Sequence, residues 1–266
     1  MLRDLEFSDI PKLAGFAPQE WNMALDAVLL EHFGRGYFQA RVSAESDRIL
    51  AIGQGIVTGH AGWIGNVIVR PEARRQGLGT QVTLDIVNLL RARGCSTLLL
   101  ASTDLGEPVY KKLGFRKTAE YVFLRVPRLP AAPTPNVRRI QPSEAEAVLR
   151  QDAFATGETR GALLAPHLGA GWAHIDPGGA LDGFFLPSLG AGLVVASQPS
   201  AGLALLGFKH AFYPGNAVVP AGNGRALRFL TEHGAAETAW APRMALGDEV
   251  SWRPECVFAR GAGYCG

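Results

Sequence analysis

A proline-rich segment near the middle of the chain sets the strongest limit on the fold. Residues 127–136 read PRLPAAPTPN and contain four prolines in ten positions. Proline fixes φ and removes a backbone donor, so such a segment sustains neither a helix interior nor a central strand and favours an extended connector. We therefore expect two domains, at residues 1–126 and 138–266, with a linker at 127–137, because each half has the size of an ordinary domain.

The composition limits the function classes. The 266 residues are 47% hydrophobic and 19% charged, as in a globular protein, and the net charge of +2 gives no reason to expect nucleic acid as a partner. Gln198 and Pro199 interrupt the most apolar segment, 189–208, so we expect no membrane span. The N-terminal residues lack the apolar region of a signal peptide, which favours the cytoplasm. Three cysteines without a CxxC pair predict no metal site.

Strand and helix patterns alternate along the first half. The apolar, β-branched run Trp63–Val69 predicts a buried strand, and residues 77–93 carry apolar side chains at helical spacing. The elements predicted after this helix are a strand at Thr97–Ala101, a helix at Glu107–Leu113 and a strand at Ala119–Val126.

A weak internal repeat appears 120 residues later. The segment Tyr110–Gly114 aligns with Leu230–Gly234, and Thr118-Ala119 aligns with Thr238-Ala239. In both places a short strand leads to a helix, a glycine and another strand. This pattern favours a duplicated fold. In the repeat, Leu230 aligns with Tyr110.

The segment from Arg74 to Thr80, RRQGLGT, has the features of an anion site. Backbone N–H groups at a helix N-terminus lack internal partners and attract anions together with the helix dipole. Gly77 and Gly79 let a diphosphate approach the backbone closely, and Arg74 and Arg75 add positive charge. From this loop alone, a turn with a glycine N-cap and solvated arginines is an equal alternative.

The pattern Arg74-x-x-Gly77-x-Gly79, followed by Tyr110-Lys-Lys-Leu-Gly-Phe115, resembles the motifs of the GNAT N-acetyltransferases: (Gln/Arg)-x-x-Gly-x-(Gly/Ala), then a tyrosine helix followed by Gly-Phe. The resemblance covers residues 1–126. It implies an α/β (α+β) fold in which helices flank a mixed, mostly antiparallel central sheet. It also implies an enzyme that transfers an acetyl group from acetyl-CoA to a primary amine of a small molecule or an amino acid.

The resemblance further implies roles for individual residues. Tyr110 would lie beside the sulfur and protonate the leaving thiolate, a task that suits a phenol with a free pKa of about 10. Without the glycine loop, Tyr110 would be better explained as an aromatic on the core face of a short helix. The residues implied in cofactor binding are Val67, Ile68 and Val69 along the pantetheine arm, and Arg74, Arg75, Gln76, Gly77, Leu78, Gly79 and Thr80 around the pyrophosphate.

The acceptor side is less defined. Glu20-Trp21-Asn22 resembles a Glu-Gly-Trp-Asn segment of a bacterial GNAT subgroup with two tandem domains, although the glycine is missing here. These residues and His60 are candidates for the acceptor pocket, and Trp21 is alternatively a core anchor. The candidate general bases are His60, Glu20 and Asp26; His60 is alternatively a loop residue.

The second half resembles the degenerate C-terminal domain of the same subgroup, which implies tandem GNAT folds. No (Arg/Gln)-x-x-Gly-x-Gly pattern occurs after residue 136, so we expect one active centre. Gly222-Asn-Gly224 favours a turn over a second anion loop. The candidates for acceptor binding between the halves are Asp152, Arg160 and Arg243, although each of them taken singly is better explained by a structural role.

Two alternative functions remain open at this point. One is a protein or peptide N-acetyltransferase, and the other is a non-catalytic acyl-CoA sensor. The expected partners are acetyl-CoA and an amine-bearing small molecule, with the chain as a monomer or a homodimer.

Overall fold

The computed structural model describes residues 1–21 and 23–265. They form two sheets with helices packed on them, which confirms the predicted α/β class of mixed, mostly antiparallel sheets. The strands are β1 (Leu2–Asp4), β2 (Phe38–Glu45), β3 (Arg48–Thr58), β4 (Ala61–Val69), β5 (Thr97–Ala101), β6 (Arg116–Arg125), β7 (Val137–Arg139), β8 (Trp172–Ile175), β9 (Leu181–Leu186), β10 (Leu193–Ala196), β11 (Ala217–Pro220), β12 (Ala236–Gly247) and β13 (Val257–Ala259).

The helices lie between the strands and cover both faces of the sheets. The α-helices are α1 (Leu25–His32), α2 (Leu78–Ala92), α3 (Glu107–Lys112), α4 (Ala145–Thr156), α5 (Gly161–Leu164), α6 (Pro199–Phe212) and α7 (Gly224–Glu232). Short 3₁₀ segments lie at Phe7–Leu13, Gln19–Trp21, Pro71–Ala73, Pro142–Glu144, Ala165–Ala170 and Pro254–Cys256. In the described ranges, no helix combines the length and apolar character needed to cross a bilayer.

The two halves of the chain share the larger sheet. Its strand order is β1-β2-β3-β4-β5-β12-β6-β11, so β12 from the second half lies between two strands of the first half. Within β12, Arg243 is opposite Ala101 of β5 on one side and Ala119 of β6 on the other. In turn β6 lies between β12 and β11 of the second half. Each half therefore completes the sheet of the other.

The 120-residue repeat is present in the structure. The series β5, α3, β6 of the first half recurs as β11, α7, β12, and Gly114 and Gly234 both follow the helix with φ near 90°.

The predicted elements of the first half all exist, with boundaries within three residues. Residues 126–136 form neither helix nor strand, as the prolines predicted. The domain bounds 1–126 and 138–266 stay predictions, since the halves interlock within one sheet.

The smaller sheet has the order β13-β10-β9-β8-β7. Here the fourth strand of the second half, β10, pairs with β13, whereas the fourth strand of the first half, β4, pairs directly with β5. Just after β13, the backbone N–H of Arg260 donates to the carbonyl of Val218 in β11 at 2.7 Å. The segment with β13 therefore lies between β10 and β11.

Helix α2 lies directly on the backbone of β3. A Cβ atom added at Gly53 would come within 2.7 Å of Val82, and one at Gly55 within 3.0 Å of Ile86. Val82 and Ile86 are fully buried in this contact. The absence of side chains at these glycines sets the close approach of α2, and thus fixes where its N-terminus meets the end of β4.

Lys209 of α6 is a buried cation whose replacement should stabilise the protein. It is 1% exposed, and burial lowers its pKa from 10.5 to about 8; its Nζ has a long bond of 3.4 Å to the carbonyl of Asn216. Below pH 8 both the folded and the unfolded state carry the proton, so the desolvation cost is fully present. Between pH 8 and 10.5 the unfolded state binds more protons, so stability rises with pH.

We expect Lys209→Met to raise the free energy of unfolding by about 2 kcal/mol at pH 7, because a pKa shift of one unit corresponds to 1.36 kcal/mol. The gain should shrink as the pH approaches 10. Urea unfolding at pH 7 and pH 10 measures both values. An equal gain at the two pH values would contradict this explanation.

Candidate active site

The first feature of the site is an opening between β4 and β5. These parallel strands pair only where Ala61–Trp63 meets Thr97–Leu99. Beyond Trp63 they separate, and within the described part of the chain no strand pairs with residues 64–69 on that side. The backbone N–H and C=O groups along this edge of β4 are thus available to an extended ligand.

A β-bulge accompanies the opening. Ile68 is opposite Ile52 of β3 and Gly65 is opposite Gln54, so two residues of β4, Asn66 and Val67, stand against one residue of β3. Asn66 has a φ of 49°, in the left-handed region. A bulge bends its strand, and this one lies where β4 turns away from β5.

The loop after β4 is a cradle of free amide groups. Arg75 has φ 63° and Gly77, the N-cap of α2, has φ 84°. Among the described residues, none accepts a hydrogen bond from the backbone N–H groups of residues 75–80. No acidic residue lies in the first turn of α2. Unpaired N–H groups and the helix dipole at one point form a site for an anion.

The two arginines of this loop are exposed. The Nε of Arg74 donates to the carbonyl of Val69 at 3.2 Å, which ties the loop to the end of β4. The Nε2 of Gln76 donates to the carbonyl of Glu72 at 3.5 Å. These two bonds fix the loop to the residues that precede it. Its backbone N–H groups and the Arg75 side chain remain available to bind a ligand.

Tyr110 lies on the α2 side of the sheet, in one core cluster with Ile86 of α2 and Leu100 of β5. Its ring is 9% exposed and meets Phe115 edge-to-face at 6.0 Å between centroids. A Cβ atom added at Gly106 would come within 2.8 Å of the ring, so this glycine gives the ring its place near the end of β5. Burial raises the pKa of Tyr110 to about 12, which keeps the phenol protonated at neutral pH.

The acceptor candidates are less closely associated with this opening. His60 is exposed in the turn between β3 and β4, at the opposite end of β4 from the glycine loop. Trp21 is half-buried against the core, as its alternative assignment predicted, and Glu20 is exposed. Asn22 lies outside the described residues. Asp26 is partly buried in the first turn of α1.

Two acceptor candidates of the second half form an ion pair of their own. Arg160 donates from Nε and Nη2 to the two carboxylate oxygens of Asp152, at 2.9 and 2.5 Å, and both side chains are buried.

Asn223 caps α7 by accepting from the N–H of Ala226 at 3.0 Å, so Gly222-Asn-Gly224 is a helix-capping turn, as predicted.

Residues of the second half also reach the opening. The buried carboxylate of Glu158 accepts from Trp63 Nε1 at 2.8 Å and from Thr58 Oγ1 at 2.6 Å. Burial raises the pKa of Glu158. Arg243 and Arg260 lie at 5.7 and 5.1 Å from the Trp63 ring. Arg243 was among the residues predicted from the sequence, whereas Glu158 and Arg260 were not, because neither belongs to a motif and only the fold brings them to β4.

In the part of the chain that the structure describes, no group of three or more His, Cys, Asp or Glu side chains is placed to hold a metal ion. The three cysteines are buried and free. The groups that the structure places at the opening are a free strand edge, a cradle of amide groups and a buried phenol.

Comparisons with known proteins agree with this arrangement. Residues 42–124 match the sequence family described as "FR47-like protein". Over 55 residues the chain is 40% identical to a glucosamine 6-phosphate N-acetyltransferase of Trypanosoma brucei brucei. This match covers 21% of the chain and 37% of the length of that curated relative.

Two solved structures share the whole fold. One, from Pyrococcus horikoshii, is described as a candidate acetyltransferase; it is 21% identical with a TM-score of 0.84, over 100% of this chain and 95% of that one. The other is a tandem GNAT protein from the clavulanic acid biosynthesis pathway, 13% identical with a TM-score of 0.64, over 93% and 98% of the two chains. The sequence likeness to FR47-like proteins thus lies at residues 42–124, and the likeness to the two solved structures is one of fold.

Proposed function

We propose that the protein transfers an acetyl group from acetyl-CoA to a primary amine of a small molecule or an amino acid. The observation that carries this proposal is the pairing of an open edge on β4 with the free amide groups of residues 75–80, which follow it in the chain. An extended arm that contains amide groups can form hydrogen bonds with the open edge of β4. A diphosphate can bind to the free N–H groups of residues 75–80. Coenzyme A has both parts in that order.

The proposed residue roles follow from this placement. The backbone of Val67, Ile68 and Val69 binds the pantetheine arm and places an N–H near the thioester oxygen. The loop from Arg74 through Arg75, Gln76, Gly77, Leu78 and Gly79 to Thr80 binds the pyrophosphate. Glu20, Trp21, Asn22 and His60 remain candidates for the acceptor side.

The reaction needs a donor for the oxyanion, an acid for the leaving thiolate and a base for the attacking amine. The lone pair of the neutral amine attacks the thioester carbonyl, and the oxyanion that develops is stabilised by a preorganised N–H of β4. The C–S bond then breaks, and the nitrogen loses one proton to a base, for which His60, Glu20 and Asp26 are the candidates. Tyr110 donates a hydrogen bond or its proton to the departing thiolate.

The second half, residues 138–266, completes the sheet in this proposal and binds no coenzyme A of its own. The segment with β13 lies in the position between β10 and β11 that corresponds to the opening between β4 and β5. Leu230 takes the place of Tyr110 in the repeat, and Asn223 caps the helix that follows β11. One acetyl-CoA site per chain is the expected stoichiometry.

The direct test is release of free thiol from acetyl-CoA over a panel of amino acids, amino sugars, polyamines and peptides. We expect release that depends on the acceptor and is fastest with a small amine. Rapid release with peptides alone would favour the protein acetyltransferase. Binding of acetyl-CoA without release on any amine would favour the acyl-CoA sensor.

A substitution in the loop separates cofactor binding from folding. Gly79 lies in the first turn of α2, and a Cβ atom there meets only Val69, at 3.5 Å. Gly79→Asp places a negative charge where the helix dipole favours one, so the melting temperature should stay the same or rise. The same charge faces the pyrophosphate, and we expect acetyl-CoA affinity to fall about 100-fold.

Isothermal titration with acetyl-CoA measures the affinity, and Gly79→Asn is the matched neutral control. Asn has almost the same shape, so it should lose much less affinity than Asp. Equal affinities for Asp and Asn variants would show that no anionic group binds at this helix end.

A further inference from the structure

Arg243 is a buried arginine beside the opening. The edge of its guanidinium group that carries Nε and Nη2 forms no hydrogen bond with a described residue. Arg243 is 4% exposed, and its Nη1 donates to Thr118 Oγ1 at 3.2 Å. Its Nε and Nη2 have no hydrogen-bond partner, and in the described ranges no carboxylate lies within 4.0 Å of it. A buried charge without a partner costs several kcal/mol, so this edge points to a ligand that supplies the missing acceptors.

Arg160 of the same chain demonstrates what such an edge binds. Its Nε and Nη2 donate in parallel to the two oxygens of Asp152, at 2.9 and 2.5 Å. These are the same two nitrogen atoms that are unpaired in Arg243. An anion with two oxygens in one plane, a carboxylate or a phosphate, therefore fits the open edge of Arg243.

Aromatic rings hold that edge in place. The guanidinium carbon of Arg243 lies 4.3 Å from the ring centre of Trp252 and 5.7 Å from that of Trp63. Stacking on rings fixes the plane of a guanidinium and leaves its N–H groups directed outward within that plane. The arrangement is preorganised for a planar anion.

The charges nearest to Arg243 do not pair with its open edge. Oε2 of the buried Glu158 accepts from both Thr58 and Trp63, and the charge of Arg243 opposes the rise that burial causes in the pKa of Glu158. Arg260, 5.1 Å from the Trp63 ring, is a second buried cation; its Nη2 donates to the carbonyl of Gly263 at 2.7 Å. None of these groups bonds Nε or Nη2 of Arg243.

The position of Arg243 relates it to the proposed reaction. It is opposite Ala101, the last residue of β5, while Trp63 forms part of the last pair between β4 and β5. Its neighbour Met244 packs in the cluster of Tyr110, so Arg243 points to the other face of the sheet. The opening thus has the phenol on one face and the guanidinium on the other.

We propose that the acceptor amine carries a carboxylate or phosphate group, and that this group binds Nε and Nη2 of Arg243. The inference rests on the acetyltransferase function proposed above. It makes β12, and so the second half of the chain, the source of acceptor specificity.

The test uses the full-length protein and acceptors in matched pairs. One arm compares amino acids with their carboxamides, and the other compares amino sugar phosphates with the unphosphorylated sugars. We expect kcat/KM to be about 100-fold higher for the anionic member in one arm, which identifies the group. Equal rates, within threefold, for both members of every pair would overturn the inference and leave acetyl transfer intact.

Variants and a binding measurement complete the design. Arg243→Lys keeps the charge but loses the two parallel donors, so it should lose the preference for the anionic member and keep the affinity for acetyl-CoA. Arg139→Lys is the control, since Arg139 stacks on Trp172 at 4.3 Å on another strand. A preference that survives in Arg243→Lys would refute the assignment.

Thermal stabilisation by the same acceptor pairs, measured with coenzyme A present, needs no turnover. Stabilisation by the anionic member in the wild type but not in Arg243→Lys would support the anion site even if no thiol were released. In that case the proposed transfer fails, while the anion site at Arg243 stands without its role in acceptor binding.

Discussion

A fragment that ends at residue 126 is expected to lose the cooperative unfolding transition of the full chain. Without β12, the strand β5 has no partner on one side, and β6 has none on either side. The fragment also loses the buried side chain of Met244, which packs in the core cluster of Tyr110 with residues of the first half. Unpaired apolar strands associate with other chains, so we expect aggregation.

Thermal melting followed by near-ultraviolet circular dichroism tests this expectation. The control is the intact protein with a protease site inserted in the exposed segment 131–133, because cutting there removes no strand. The cut protein should keep both pieces together and melt as the intact chain does. A monomeric fragment 1–126 with its own cooperative melting transition would contradict the interlocked architecture.

The substitution Tyr110→Phe is expected to lower kcat by about 100-fold or more, in the range that positioned acids contribute. The ring and its contact with Phe115 are retained, so acetyl-CoA affinity and the melting temperature should change little. Tyr213→Phe is a matched control, since its hydroxyl accepts from Trp172 Nε1 at 3.0 Å in the second half. An unchanged kcat in Tyr110→Phe would remove the acid role.

The pH profile gives a second check on the same residue. With a pKa of about 12, the phenol stays protonated through pH 10, where a free tyrosine would be half ionised. The wild-type rate should therefore show no descending limb from this group below pH 10. A limb near pH 10 that disappears in Tyr110→Phe would mean that the phenol has an ordinary pKa in the working enzyme.

Local patterns predicted the elements of the first half well, because each pattern reports a neighbourhood of a few residues. The apolar spacing at residues 77–93 marked α2, and the glycines and arginines before it marked the loop. The 120-residue repeat also predicted that a strand follows Gly234. These features depend on the helix or strand preference of neighbouring residues and on the spacing of apolar side chains. Both can be read from the sequence.

The sequence did not reveal which strands become neighbours. Nothing in the pattern of Ala236–Gly247 indicates that this strand enters the sheet between β5 and β6, since hydrophobic alternation specifies a face and not a partner. For the same reason no sequence pattern marks Glu158 or Arg260, or shows that Asp152 and Arg160 pair with each other. Long-range pairing decides these contacts.

The shared sheet also has a consequence for synthesis on the ribosome. Strands β5 and β6 are complete by residue 125, yet the strand that joins them ends at residue 247. At roughly 5–20 residues per second, the edges of β5 and β6 that face β12 stay unpaired for on the order of ten seconds during synthesis. A chaperone that shields emerging strands would thus act on this protein mainly while its second half is being translated, and a slow codon cluster there should lower the yield of folded chains.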